Sequence, residues 1–295
     1  MFMRIALLLV MTLLSACQAS LPALPTWQSP EGLAHAKLGQ IVEVRSGAIL
    51  TPAQLLERLA AAPRVLVGER HDNPDHHALQ LWLLRALAAQ RPQGSVLLEM
   101  LTPDQQIRVD QVRAAIAHEQ VPQDMLTALA WQPGWAWSLY GPLVQYALRQ
   151  PYPMLAANLE RREIMQIYAQ VPQLEGQAST APPVREALRA QIRESHCNLL
   201  PESQLPAMLA VQQQRDRRMA EAMLAAPEPS LLLAGAFHVR RDLGVPLHLQ
   251  DLGAAQGTQV LILAEVGSQV AADSADYVWF TPAQPEQDHC AKLRP

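Results

Sequence analysis

The sequence predicts an α/β fold in which helices flank a mostly parallel β-sheet. Two runs of aliphatic residues, 64–67 and 231–234, have the length and composition of buried parallel strands. Each run ends in a Gly-x-x-His pattern, with Gly68 and His71 in the first copy and Gly235 and His238 in the second. Strands alternate with helices along the chain, as in sheets that are covered on both faces.

The same alternation assigns the remaining elements in order. We predict strands at residues 41–44, 64–68, 95–100, 153–157, 230–234 and 259–265. We predict helices at residues 51–61, 74–90, 103–130, 138–149, 159–170, 184–195 and 201–225, with Pro122 breaking the third of them. We predict that Thr51 caps the first helix and that Asp72 or Asn73 caps the second. In both helices a proline, Pro52 or Pro74, then lies in the first turn, where proline is favoured. Residues 171–226 are expected to form a helical insertion or cap over the strand ends.

The chain begins with a pattern that is typical of secretion. Arg4 is the only charge before an apolar run from residue 5 to residue 14, which is too short to span a bilayer and suits a signal peptide of residues 1–16. Residues 14–17, Leu-Ser-Ala-Cys, resemble the lipobox of bacterial lipoproteins, in which Cys17 is lipidated. The alternative is an ordinary secretory signal with a chance cysteine. Gln18 follows in place of a retention aspartate, which favours the outer membrane.

Composition limits the class of protein. Residues 17–40 contain three prolines and are expected to be a tether, while residues 41–295 form a single domain. Hydrophobic residues make up 49% of the chain, and the formal net charge of −4, or −5 without Arg4, gives no sign of a nucleic-acid-binding surface. Cys197 and Cys290 either form a disulfide bond or stay unpaired, since two cysteines carry little spacing information.

Polar side chains stand at or just past the carboxyl end of each central strand. Glu69 and His71 follow the first, Glu99 lies at the end of the second, Asn158 follows the next, and His238 follows a later one. The carboxyl ends of parallel strands share one edge of a sheet, where ligands bind, so we expect these side chains to meet. The alternative is that Glu99 and Asn158 bond backbone groups in strand-end turns.

Two further polar groups lie on helices. Asp216 shares a face of the last long helix with Gln212, and arginines surround it. Such a run is usually a solvated face, but Asp216 could instead point at the strand-end site while an arginine binds a carboxylate ligand. His76 and His77 start the helix after the first Gly-x-x-His copy, and His77 is expected at the surface.

The strand-end residues favour one chemical interpretation by themselves. His71, His238 and Glu69 supply nitrogen and oxygen ligands of the kind that a divalent metal such as zinc accepts. The other carboxylate, Glu99, could then transfer protons while the metal or a histidine activates water. This arrangement suits a metal-dependent hydrolase acting on esters or peptides.

Over most of its length the chain also resembles the ChaN-like haem-binding lipoproteins, with the PhuW type looking most similar. The matching stretches are residues 68–73 with His76, His77 and Gln80; residues 98–100; Trp137 and residues 140–143; residues 156–158; Gln212, Gln213, Asp216, Met219 and Ala220; and residues 234–238 through 244–246. The wider group, which includes erythromycin esterases and the Tiki/TraB proteins, shares two Gly-x-x-His motifs.

The resemblance implies a lipoprotein that binds haem for iron acquisition, anchored in the outer membrane by its lipid and facing the periplasm. Haem would be held non-covalently, since the chain has no Cys-x-x-Cys-His motif. An outer-membrane haem receptor system and a second copy of the chain are the other partners it suggests. His196 and Tyr140 are candidate iron ligands, and Trp135 with its neighbours could line an apolar slot, although each has an equally good structural explanation.

Overall fold

The computed structural model describes residues 21–288 and 290–291, in which eight strands form one mixed sheet. The strands are β1 (Ile41–Glu43), β2 (Ile49–Leu50), β3 (Arg64–Glu69), β4 (Ser95–Leu98), β5 (Met154–Ala156), β6 (Ser230–Gly235), β7 (Thr258–Glu265) and β8 (Tyr277–Thr281). Their order across the sheet is β2-β1-β8-β7-β3-β6-β4-β5. The six strands from β8 to β5 are parallel, and β1 and β2 add an antiparallel edge.

Helices cover both faces of this sheet. The α-helices are α1 (Pro52–Ala60), α2 (Pro74–Gln90), α3 (Gln106–Ala117), α4 (Met125–Leu129), α5 (Trp137–Leu148), α6 (Arg161–Gln170), α7 (Pro182–Ser195), α8 (Leu205–Ala225), α9 (Ala236–Val239) and α10 (Val245–Asp251). Side chains alternate across the central strands, so that Val65 and Val67 of β3 pack with α1 and α2, whereas Leu66 packs with α8 and α10. The predicted α/β fold with a mostly parallel sheet is confirmed.

The register between β3 and β6 decides where the two Gly-x-x-His copies lie. The strands pair in parallel, with Gly68 opposite Ala234 and Glu69 opposite Gly235. Both strands are buried on both faces and aliphatic, as the sequence predicts. The two copies therefore leave the sheet side by side, at the same edge.

Some elements differ from the predicted ones. The segment 103–130 is interrupted as expected and forms α3 and α4, with Pro122 in the intervening loop. Strand β8 was not predicted, although Tyr277–Thr281 is aromatic, β-branched and fully buried between β1 and β7. The short helices α9 and α10 were also missed, because each is shorter than the window in which helical periodicity is visible.

The sequence predicts a tether at residues 17–40, but the described part, from residue 21, lies against the domain. The indole Nε1 of Trp82 donates to the Pro22 carbonyl at 2.8 Å, and the backbone N–H groups of Gln28 and Ser29 donate to the Asp75 carboxylate at 2.7 and 2.9 Å. The prolines of residues 21–30 favour extended backbone, whose N–H and C=O groups have no partners within the segment. These groups can therefore bond to the domain, and they hold the segment on it. The signal peptide of residues 1–16 and Cys17 lie outside the described residues.

Helices α7 and α8 make up the region predicted as a cap. The second half of α8 packs on the sheet through Met219, Ala220 and Met223. Its first half packs instead with α7, in a separate small core. The loop after α7 is joined to the end of the chain by a disulfide between Cys197 and Cys290, the pairing that the sequence left open. Within the part of the chain that the structure describes, no helix is long and apolar enough to cross a bilayer.

The disulfide should contribute to stability because it closes a loop of 93 residues. Removing it in Cys197→Ser should lower the free energy of unfolding by about 2–4 kcal/mol, through the greater entropy of the unfolded chain. Urea denaturation measures this change. Cys290→Ser and the double variant should match Cys197→Ser, since all three remove one bond, and unequal losses would contradict this explanation.

Candidate functional site

Two histidine–carboxylate groups lie at the carboxyl edge of the sheet. Glu69 is the last residue of β3, Glu99 directly follows β4, and His238 belongs to α9, which starts where β6 ends. His71 lies just beyond β3, and Asp216 reaches the same edge from α8. The structure brings these five side chains together; the sequence expected Glu69, His71, Glu99 and His238 to meet at this edge and left the contact of Asp216 open.

His71 is the more accessible of the two histidines. Its Nδ1 lies 2.5 Å from Oε1 of the buried Glu69, and the Tyr140 hydroxyl donates to the same oxygen at 2.9 Å. Because a carboxylate only accepts, Nδ1 carries the proton and Nε2 presents its lone pair when the ring is neutral. The side chain is 47% exposed, and the edge of Trp135 packs against it with ring centroids 5.0 Å apart. Burial lowers the pKa of His71, but the hydrogen bond and charge of Glu69 outweigh it, so that the pKa is raised.

His238 is buried between two carboxylates. Its Nδ1 lies 2.5 Å from Asp216 Oδ1, and its Nε2 lies 3.3 Å from Glu99 Oε1. Burial alone would lower the pKa of His238, but the charges of Glu99 and Asp216 raise it to about 10. Burial likewise opposes ionisation of Glu99, whereas His238 lowers the pKa of that carboxyl to about 2. At neutral pH the site therefore contains a doubly protonated imidazolium held by two carboxylates.

Asn158 takes the structural alternative that the sequence left open. Its Nδ2 donates to the backbone carbonyl of Glu99 at 2.9 Å, and its Oδ1 accepts from the Leu159 N–H at 2.8 Å. The Glu99 side chain in turn accepts the Gly235 N–H at 2.7 Å. Asn158 thus fixes the strand-end turn, while the Glu99 carboxylate faces His238.

The glycines of the two motifs make room for this arrangement. A Cβ on Gly235 would lie 2.9 Å from Cε1 and 3.0 Å from Nε2 of His71, so only glycine lets that ring lie over the end of β6. A Cβ on Gly68 would lie 2.8 Å from Cα of Ala236, which is backbone at the start of α9. Each motif glycine therefore lets the other copy of the motif approach closely: Gly235 makes room for the His71 ring, and Gly68 makes room for the backbone of Ala236.

The two side chains considered as iron ligands lie in different surroundings. Tyr140 is buried, and burial followed by the Glu69 charge raises its pKa, which keeps the phenol protonated as a donor to Glu69. His196 ends α7, where its Nδ1 lies 2.8 Å from the Ile192 carbonyl. Trp135 packs on both His71 and Tyr140.

His76 and His77 prove to be buried supports of the site. His76 Nδ1 accepts the Arg70 N–H at 2.8 Å, and burial, followed by the nearness of His77 and Arg70, lowers the pKa of His76 well below its usual value. His77 Nε2 donates to the His71 carbonyl at 3.0 Å, and its ring packs on Tyr140 at 4.3 Å. The expectation that His77 lies at the surface is wrong, because α2 turns this side chain under the Gly-x-x-His loop.

A cavity of about 660 Å³ opens beside the two histidines. His71, His238 and Phe237 line it, with Phe237 52% exposed, and so do Gln191 and Ser195 of α7. Among the described residues, no group of three or more histidine, cysteine or acidic side chains is arranged to hold a metal ion. Of the predicted metal ligands His71, His238 and Glu69, His238 already has both ring nitrogens on carboxylates.

This edge defines the protein as an α/β protein with a histidine–carboxylate site and an adjoining ligand-sized cavity where parallel strands end. The chain belongs to the family described as haem-binding uptake, Tiki superfamily, ChaN, whose model matches residues 55–249. The predicted resemblance is thereby confirmed, and membership of this family supports haem as the ligand.

The fold agrees with that of one solved structure in particular. The chain is similar to ChaN of Campylobacter jejuni, a structure reported for cofacial haem binding, with 28% identity and a TM-score of 0.75 over 86% of this chain and 98% of that one. An erythromycin esterase in its open conformation has 12% identity and a TM-score of 0.46 over 87% of this chain and 85% of that one. A toxin effector domain from Vibrio vulnificus has 14% identity and a TM-score of 0.45 over 81% of this chain and 39% of that one. No curated protein matches the chain.

The buried imidazolium should make stability depend on alkaline pH. A raised pKa contributes stability that is complete below the unfolded value, about 6.5, and is lost as the pH rises through the folded value, about 10. His238→Gln should lose about 3–5 kcal/mol of unfolding free energy at pH 7, because it leaves Glu99 and Asp216 buried without a cation. Urea denaturation at pH 7, 8, 9 and 10 should show a smaller decline in this variant than in the wild type. His196→Gln, outside the site, is the control, and equal declines in His238→Gln and wild type would contradict the assignment.

The two motif glycines should respond differently to the same substitution. Gly68→Ala places a methyl group against backbone, so it should cost about 1–3 kcal/mol of unfolding free energy. Gly235→Ala meets a half-exposed ring that can rotate away, so it should cost less and displace His71 instead. Urea midpoints measure the costs, and the His71 imidazole NMR shifts report the displacement. A larger loss of unfolding free energy in Gly235→Ala than in Gly68→Ala would contradict this account of the two contacts.

Proposed function

We propose that this chain is a lipoprotein of the bacterial envelope that binds haem non-covalently, with His71 Nε2 as the iron ligand. The observation that carries the proposal is the His71–Glu69 pair on the wall of the cavity. A ligating histidine commonly donates its other ring N–H to a carboxylate, which orients the ring and raises its basicity. Histidine is also a common axial ligand of haem iron.

The surroundings of His71 suit a flat, largely apolar ligand. Phe237, half exposed, lines the cavity together with Ile262 and Val270, and Trp135 packs against His71. The cavity volume lies in the range of small-molecule sites. Its open shape fits a haem that is taken up and later released.

The place of this function in the cell rests on the amino terminus. The lipobox-like residues before Cys17 support lipidation there and an outer-membrane location facing the periplasm, from which haem would serve iron acquisition. An outer-membrane haem receptor system would supply the ligand. A second copy of the chain is a further partner in this proposal, because an exposed planar ligand could bridge two subunits, and cofacial haem binding is reported for ChaN of Campylobacter jejuni.

Titration of haemin into the domain from residue 18 onward tests this proposal. The wild type should give a stoichiometric break in Soret absorbance, and His71→Ala should weaken binding at least about tenfold, since the iron loses its protein ligand. Binding by the wild type should also strengthen as the pH rises through the raised pKa of His71, because a protonated imidazole cannot coordinate iron.

Matched variants separate His71 from the other candidates. Tyr140→Phe removes a donor to Glu69 and should shift the spectrum only slightly, and His196→Gln should leave it unchanged. An unaltered Soret band in His71→Ala, with loss in His196→Gln or Tyr140→Phe, would instead assign the iron to those residues. Binding no tighter than that of an unrelated periplasmic protein would overturn the haem proposal.

A hydrolase is the second candidate, favoured by the same His71–Glu69 pair. A histidine oriented by a buried carboxylate can act as a general base toward a water molecule in the cavity. The described residues contain no donor set for the divalent metal that the sequence suggests, so this candidate is a metal-independent esterase. Turnover of ester substrates that His71→Ala abolishes would support it, and inertness toward an ester library would remove it.

A further inference from the structure

Three arginines line the cavity beside His71, and two of them are already paired. Arg70 binds Asp72 at 2.8 Å and Glu265 at 2.5 Å. Arg240 binds Asp242, with its Nε 2.9 Å from that carboxylate. These two guanidinium groups are therefore neutralised within the chain.

Arg215, the third arginine, has no such partner. It makes no ion pair with any residue in 21–288 or 290–291, and its Nε is buried without a hydrogen bond to these residues. A buried guanidinium N–H without an acceptor costs free energy, so its position calls for an acceptor that the described residues do not supply. Arg215 is thus the free cation of the cavity among the residues that the structure describes.

The neighbouring arginines of α8 show that this is not a general property of the helix. Arg217 binds Glu221 at 2.9 Å, and Arg218 binds Glu163 at 2.6 Å. Both fit the solvated, ion-paired face that the sequence pattern favours. Arg215 differs because its position on α8 places it on the cavity, next to the residues that contact His238.

A second unsatisfied group lies on the facing helix. Gln191 of α7 lines the same cavity, and its Oε1 is buried without a hydrogen-bond partner among the described residues. The oxygen and nitrogen of an amide can exchange places, so Gln191 can present an N–H to an anion. Two helices therefore bring a free guanidinium and a free amide to one cavity.

We propose that Arg215, assisted by Gln191, is a carboxylate-binding subsite that holds a propionate of the bound haem. This subsite rests on the proposed haem function and adds to it the recognition of the ligand's acidic edge. The planar guanidinium matches a carboxylate with two parallel hydrogen bonds, and such charge-assisted bonds are among the strongest in proteins. With iron at His71 and a propionate at Arg215, the ring would have one orientation in the cavity.

Comparison of haemin with haemin dimethyl ester tests the subsite directly, because the ester lacks the carboxylates but keeps the iron and the ring. The wild type should bind haemin about tenfold or more tightly than the ester. Arg215→Gln should lose this preference by weakening haemin alone, and Arg215→Lys should retain part of it, since lysine keeps the charge without the fork. Soret titrations give the six affinities, one for each of the three proteins with each of the two compounds.

Arg217→Gln is the matched control, because Arg217 lies on the same helix outside the cavity, and it should behave like the wild type toward both compounds. Far-UV circular dichroism and urea midpoints check that each variant is folded. Equal haemin affinity in Arg215→Gln and wild type, or an equal loss for haemin and ester, would overturn the subsite while leaving haem binding in place. A wild type that binds neither compound would overturn both this subsite and the proposed function.

Discussion

The buried imidazolium of His238 is the interaction on which the rest of the site depends. Asp216 comes from α8 and Glu99 from the end of β4, and neither carboxylate has another cation within hydrogen-bonding distance in the part of the chain that the structure describes. Without His238, two negative charges would lie in the interior, at a cost of several kcal/mol each. Helix α8, the end of strand β4, and strand β6 with the helix α9 that follows it are therefore joined through the His238 ring. This makes His238 a structural centre and leaves His71 available for ligands.

This division of labour between two similar motifs follows from their partners. Both histidines have a carboxylate on Nδ1, but the Nε2 of His238 has a second carboxylate, whereas the Nε2 of His71 lies over Gly235 beside the cavity. Two further contacts hold the loop that carries His71. Tyr140 donates to the Glu69 side chain, and His77 donates to the His71 carbonyl. A rigid polar layer under a half-exposed ring is the kind of support that keeps a ligand-binding histidine in one orientation.

The fold and most of the site could be predicted from the sequence, because buried parallel strands are continuous aliphatic runs and their ends share one edge. Glu69, His71, Glu99 and His238 needed no more than this rule. The role of Asp216 could not be decided, since helical periodicity places it on a face without saying what that face contacts. The role of Asn158 could not be predicted because it depends on the backbone geometry of one particular turn. Strand β8 could not be predicted because its burial depends on pairing with β1, which is distant in the sequence. Pairing of Cys197 with Cys290 likewise depends on where the chain end lies.

The docking of residues 21–29 on the domain has a consequence for the proposed lipid anchor. The Pro22 carbonyl already accepts a hydrogen bond from Trp82, so only residues 18–20 separate Cys17 from the docked segment. A fully extended chain covers at most about 14 Å over those four peptide steps. In a domain anchored at Cys17, the surface on which residue 21 is docked would therefore stay within about one and a half nanometres of the lipid headgroups. The domain could not move far into the periplasm. Haem would then be exchanged with partners that come to the bilayer surface.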